Sequence, residues 1–147
     1  MIFLHNSTKN ARGIGILINK KVNIEAKILH KDAEENILIT ELNKGGQKLI
    51  LGGVYGPRQH DDPDFLNKLM YIKDGFRSNF LILTGDFNMI PSTKRPLIDI
   101  IGSDSIPNER NSRMLENIIN SREVIDIFRA KNGNKKDYSF IGFNIAS

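Results

Sequence analysis

The run Phe80-Leu81-Ile82-Leu83-Thr84-Gly85-Asp86-Phe87-Asn88 constrains the fold of this chain more than any other. A short, almost wholly apolar stretch ends at a glycine, and a carboxylate and a carboxamide follow two positions apart. It reads as a buried strand. Side chains alternate along a strand, so Asp86 and Asn88 are expected at its rim, pointing the same way. An acid beside an amide at a strand end suits phosphate-ester hydrolysis. One group takes a proton from water, and the other holds that water or the phosphate oxygens. Asp and Asn are also common turn residues, so a plain strand-ending turn is the competing reading.

Around this run the periodicities describe an α+β chain of 147 residues, one domain or part of one. Residues 13–18, 24–29, 37–42 and 48–55 read as strands. The breaks at Asn19-Lys20-Lys21, at 32–36 and at Asn43-Lys44-Gly45-Gly46 suit turns between antiparallel neighbours, the last being the clearest hairpin signal. A helix start follows. Asp61 or Asp62 caps it, Pro63 suits its first position and Asp64 its first turn. Phe65, Leu66, Leu69, Met70 and Ile72 form its apolar stripe. The strand at 80–84 comes next, expected at the centre of the sheet, and then an irregular stretch from 90 to about 109 with prolines 91, 96 and 107. A second helix is expected over 112–121, and 124–128 and 138–143 are further strand candidates. Strands, helix, strand, helix imply a β-sheet core with flanking helices.

Composition excludes several classes. There is no cysteine, so disulfides and thiolate metal sites are ruled out, in keeping with a reducing compartment. His5, His30 and His60 lie too far apart to suggest a structural zinc site. No run approaches the ~20 apolar residues of a membrane span. Met1-Ile2-Phe3-Leu4 is too short for a signal-peptide core of about 7–15 residues. An intracellular protein, nuclear or cytoplasmic, with no membrane partner is the expectation. The net charge of +4 is compatible with a polyanionic partner, although the basic residues are dispersed.

The spaced motifs run in a fixed order. Leu49 to Val54 leads into Tyr55-Gly56-Pro57; then come the helix, the apolar strand and Gly85-Asp86-Phe87-Asn88; then the second helix, Asp126-Ile127-Phe128-Arg129 and Tyr138-Ser139-Phe140. This order resembles the endonuclease/exonuclease/phosphatase superfamily, the DNase-I-like fold. Within it the chain is most similar to the endonuclease domains of non-LTR (LINE-type) retrotransposons, and Ala11-Arg12-Gly13-Ile14-Gly15-Ile16-Leu17-Ile18 is similar to an Arg-Gly-containing strand of those domains. The resemblance implies a partial four-layer α/β/β/α sandwich with mostly antiparallel sheets, and a metal-dependent phosphodiesterase that nicks DNA for retrotransposition. Asp86 would orient or deprotonate the attacking water. Asn88 would hold that water or a phosphoryl oxygen, and Tyr55 would donate to charge growing on the phosphate. The implied cofactor is magnesium, and the implied partners are DNA and a reverse transcriptase domain in the full-length element. Arg12, His30, His60, Lys94 and Arg95 are candidates for backbone contacts with nucleic acid.

Departures from the family pattern accompany the match. Family members open with two more strands, the second ending in the principal metal-ligating Glu. They close with a strand bearing Arg-Ile-Asp and then an Asp-His pair. The chain is therefore expected to be a partial domain over 1–147, lacking the first and last strands, with no metal ligands of its own assigned. Arg58 stands where Asn usually follows Tyr-x-Pro; it can bind phosphate but cannot accept a hydrogen bond. Magnesium belongs to the complete domain, because a lone Asp86 offers a hard cation too few oxygens. Three functional expectations follow: an endonuclease fragment inactive alone, part of a longer nuclease and reverse transcriptase polyprotein, or a non-catalytic nucleic-acid-binding remnant.

Overall fold

The computed structural model describes residues 2–6, 13–57, 64–76, 80–89, 109–121 and 124–132. Its central feature is a β meander. Strand β4 (Ile37–Lys44) and strand β5 (Gln47–Tyr55) pair antiparallel from Lys44↔Gln47 to Ile37↔Val54. Gly45 and Gly46 form the two-residue turn between them, with φ of 58° and 85°. Positive φ at both central positions matches the turn twist to the strand twist. The side-chain oxygen of Asn43 accepts from Gly46 N–H at 3.1 Å and closes the turn.

Strand β3 (Glu25–Lys31) pairs antiparallel with β4, and its register shifts between Ile28 and His30. The extra residue, Leu29, is a bulge, which changes the face on which following side chains fall. On the other side of β5 lies β6 (Leu81–Asp86), parallel to it from Ile50↔Leu81 to Tyr55↔Asp86. Helix α1 (Phe65–Gly75) forms the connection that a parallel pair requires. The order β3-β4-β5-β6 makes a mixed four-stranded sheet, and the fold is α+β. Strands β1 (Ile2–Asn6) and β2 (Gly13–Leu17) form a separate antiparallel pair.

Each sheet face is covered differently. Ile14 and Ile16 of β2 cluster with Leu38, Ile28, Leu51 and Tyr55 on one face. Contact there is close because Gly53 has no side chain; a Cβ at Gly53 would stand 2.6 Å from Ile14 Cγ2. Alternation puts Ile37, Ile39, Ile50 and Val54 on the opposite face, and all four are buried. Phe65, Leu66, Leu69 and Ile72, the inward stripe of α1, are buried too. Burying such a side chain contributes about 1.5–3 kcal/mol, so these eight residues dominate the core of this part of the chain.

The chain divides into two compact units, residues 1–88 and 89–147. In the second, α2 (Glu109–Asn120) buries Asn111, Ser112 and Ile118, and a short helix α3 (Ile127–Asn132) follows.

Several sequence expectations need correction. Strands β2 and β3 are not antiparallel neighbours. The 3-10 turn Lys20–Val22 between them links two different sheets. Strand β1 was not expected, since only the short apolar run Met1 to Leu4 marks it; its partner β2 supplies the rest. The stretch 124–128 is not a strand. Ala130 N–H donates to Asp126 O at 2.9 Å, which opens α3, and Ile125, Ile127 and Phe128 are exposed with no ladder to hold them extended. Strand β6 ends the strand order among the described residues, and Phe80 and Ile82, expected in a buried strand, are 68% and 50% exposed. Helix α1 begins one residue after Asp64, which flanks it without capping through its side chain. Asp61, Asp62 and Pro63, the stretch 90–108 and the strand candidate 138–143 lie outside the described residues.

Candidate functional site

Parallel pairing brings the two expected strand ends together. Tyr55 and Asp86 are register partners at the last rung of the β5–β6 ladder. Partners across a ladder project to the same face, so the phenol and the carboxylate leave the sheet side by side. Both stand at carboxyl ends of parallel strands, the edge where ligands bind in open sheets with helical crossovers. On the other side of β5, Tyr55 N–H donates to Asn36 O at 2.9 Å.

The backbone beyond the rung is tightly drawn together. Gly56 N–H donates to Asp86 O at 2.6 Å. A Cβ on Gly56 would collide with the Phe87 carbonyl, and one on Gly85 with the Val54 carbonyl. Gly85 also has a φ of 140°, open only to glycine at low cost. The glycines of Tyr-Gly-Pro and Gly-Asp-Phe-Asn are thus required by one close approach of two chain segments.

Asp86 and Asn88 meet by a turn and not by strand alternation. The strand ends at Asp86, and Asn88 has a φ of 50°, the left-handed region. The Asn88 backbone N–H donates to Asp86 Oδ1 at 2.9 Å, an Asx turn that orients the carboxylate. The Asn88 side-chain Nδ2 donates to Gly56 O at 2.7 Å. Asp86 and Asn88 are exposed, and Tyr55 is half-buried against the Ile14, Ile16 and Leu38 cluster.

Chemically, the arrangement offers one carboxylate with one oxygen already held, one amide and one phenol. Among the described residues no group of three or more His, Asp or Glu side chains converges. Magnesium is usually held through one or two carboxylates with waters and substrate phosphate, and the described part of the site offers one, Asp86, with one of its oxygens already taken by the Asn88 N–H.

Arg58, a candidate for substrate phosphate, lies outside the described residues, as do Arg12, His60, Lys94 and Arg95. His30 is half-buried. The bulge at Leu29 places it opposite Ile39, and its Nε2 is buried without a hydrogen-bond partner. It lines a hollow of about 410 Å³ with Tyr71, Ile72, Asp74, Gly75 and Phe76. Asp126 stands at the start of α3 in the second unit.

Sequence reasoning missed Asn36. It is 2% exposed, and its Oδ1 has no partner. It lies one step beyond the β4–β5 ladder, opposite Tyr55, and nothing in the turn at 32–36 signals that register.

No helix among the described residues is long and apolar enough to cross a membrane. A scan against protein-family models finds no match.

Proposed function

We propose that this chain is an endonuclease-like, phosphodiester-handling domain of the DNase-I-like type, closest to the retrotransposon branch, and inactive as a nuclease by itself. The observation that supports it is the Tyr55–Asp86 rung, joined by Asn88 at the carboxyl ends of a parallel pair. On this reading Asp86 accepts a proton from water. The Asn88 N–H holds one of its oxygens and leaves the other for the nucleophile. Tyr55, its backbone fixed between Asn36 and Asp86, presents its hydroxyl to charge developing on a non-bridging phosphate oxygen. In the complete family domain magnesium would neutralise phosphate charge; among the described residues no group of three or more His, Asp or Glu side chains converges, and no step here is assigned to it.

A binding remnant is the second reading, favoured by the net charge of +4 and by the single carboxylate at the site. Both readings share a DNA partner. Electrophoretic shift of a duplex oligonucleotide at several salt concentrations tests that shared element. Binding is expected at low salt, weakening steeply as salt rises through counterion release. Absence of a shift at low salt would remove DNA as the partner. Incubation of supercoiled plasmid with the chain and magnesium tests the inactivity that both readings predict. No nicking is expected, and robust nicking abolished by Asp86→Ala would show the chain to be a working nuclease.

A further inference from the structure

The Gly56 peptide is gripped from both sides by one short turn. Its N–H donates to Asp86 O at 2.6 Å. Its carbonyl accepts from Asn88 Nδ2 at 2.7 Å. A carbonyl oxygen only accepts, so it fixes which end of the Asn88 amide is nitrogen. Asn88 is held in turn by its own N–H on Asp86 Oδ1 and by its left-handed backbone, which Asn tolerates better than most residues. The Phe87 carbonyl fills the space a side chain at Gly56 would need, so nothing else can separate the two segments.

We infer that Asn88 is a positioning residue: its side-chain amide straps the end of β5 to the turn after β6 and sets the spacing of Tyr55 and Asp86. This role is distinct from holding water or phosphate and does not depend on what the site binds. The neighbouring ladder fixes the rung itself through the Gly56 N–H, and the strap acts one step beyond it. Pairing of β5 with β6 stops at Tyr55 and Asp86, and beyond that rung Asn88 makes the side-chain link between the two segments.

Amide hydrogen exchange followed by NMR tests the strap without any ligand, so its outcome is separable from that of the DNA experiments. Asn88→Gly keeps the left-handed backbone and removes the donor. Asn88→Asp keeps shape and acceptor and removes the donor. In both, exchange at Gly56 is expected to quicken by about tenfold, the loss of roughly one hydrogen bond, while Ile39 and Leu51 stay within about twofold. Unchanged exchange at Gly56 overturns the strap. Equal acceleration throughout the sheet overturns it too, because Asn88 would then add only to overall stability. The unaltered protein supplies a check needing no variant: one of the two Asn88 side-chain amide hydrogens is expected to be protected, and exchange of both at free-asparagine rates overturns the inference.

Discussion

Gly85 combines a φ of 140° with the Val54 carbonyl in the place of a side chain, so any substitution there meets both backbone strain and collision. Gly85→Ala is expected to lower stability by about 1–3 kcal/mol, the range for a strained backbone position, read as a lower urea midpoint at unchanged slope. At the same strand end, Asp86→Asn and Tyr55→Phe are expected to move DNA affinity in opposite directions. Removing the carboxylate relieves repulsion of phosphate and tightens binding. Removing the hydroxyl loses a donor and weakens binding by about 0.5–1.5 kcal/mol, some two- to tenfold. Both shifts are measurable by fluorescence anisotropy, and parallel shifts would show that the two side chains do not face the same phosphate. The residues of this site were legible in sequence because glycine, Asp, Asn and Tyr-Gly-Pro mark chain reversals by their own conformational preferences. Their mutual arrangement was not. The register that sets Tyr55 beside Asp86 is a pairing across 31 positions, and the left-handed Asn88 replaces the strand alternation that local patterning implies.

Two links between elements invite measurement. Lys68 of α1 bonds Glu34 in the β3–β4 turn at 2.9 Å, and this bond holds the Glu34 carboxyl below its ordinary value of 4.5. A lowered carboxyl stabilises the fold above that ordinary value, and the contribution is lost as pH falls through the lowered one. The pair is exposed, so Lys68→Met is expected to cost only about 0.2–1 kcal/mol at pH 7. The difference from the unaltered chain should disappear in acid, which paired urea titrations at neutral and acid pH would reveal. Gly53 carries the second link, the contact of β2 with the sheet. Gly53→Ala drives a methyl onto Ile14 and is expected to cost about 1–3 kcal/mol through overpacking, seen as a lower thermal midpoint. Strands β2, β3, β4 and β5 were readable because their apolar runs are bounded by strong turn signals. The run at 124–128 was misread because a short apolar stretch fits strand or helix equally, and the Asp126-to-Ala130 bond decides for helix. The orientation of His30 escaped notice for a related reason. A bulge breaks the period on which face assignments rest, and it leaves no local signature.

For the molecule as a whole, the described site holds too few groups for catalysis by an acting set. Groups that work as a unit are strongly non-additive, so a lone acid with a phenol and an amide is expected to leave plasmid intact. The sequence conveyed the α+β class and the meander. It did not convey that β2 and β3 belong to different sheets, since a turn looks alike whether it joins ladder neighbours or crosses between layers. The parallel placement of β6 has a temporal consequence. Strands β3, β4 and β5 are joined by short turns and close locally, whereas β6 pairs with β5 across the longer connection that contains α1, a costlier closure. The phenol and the carboxylate are therefore expected to become neighbours late in assembly and to part early in its reversal, so a population that has lost only this docking step would look folded by circular dichroism while the end of the β5–β6 ladder is already open.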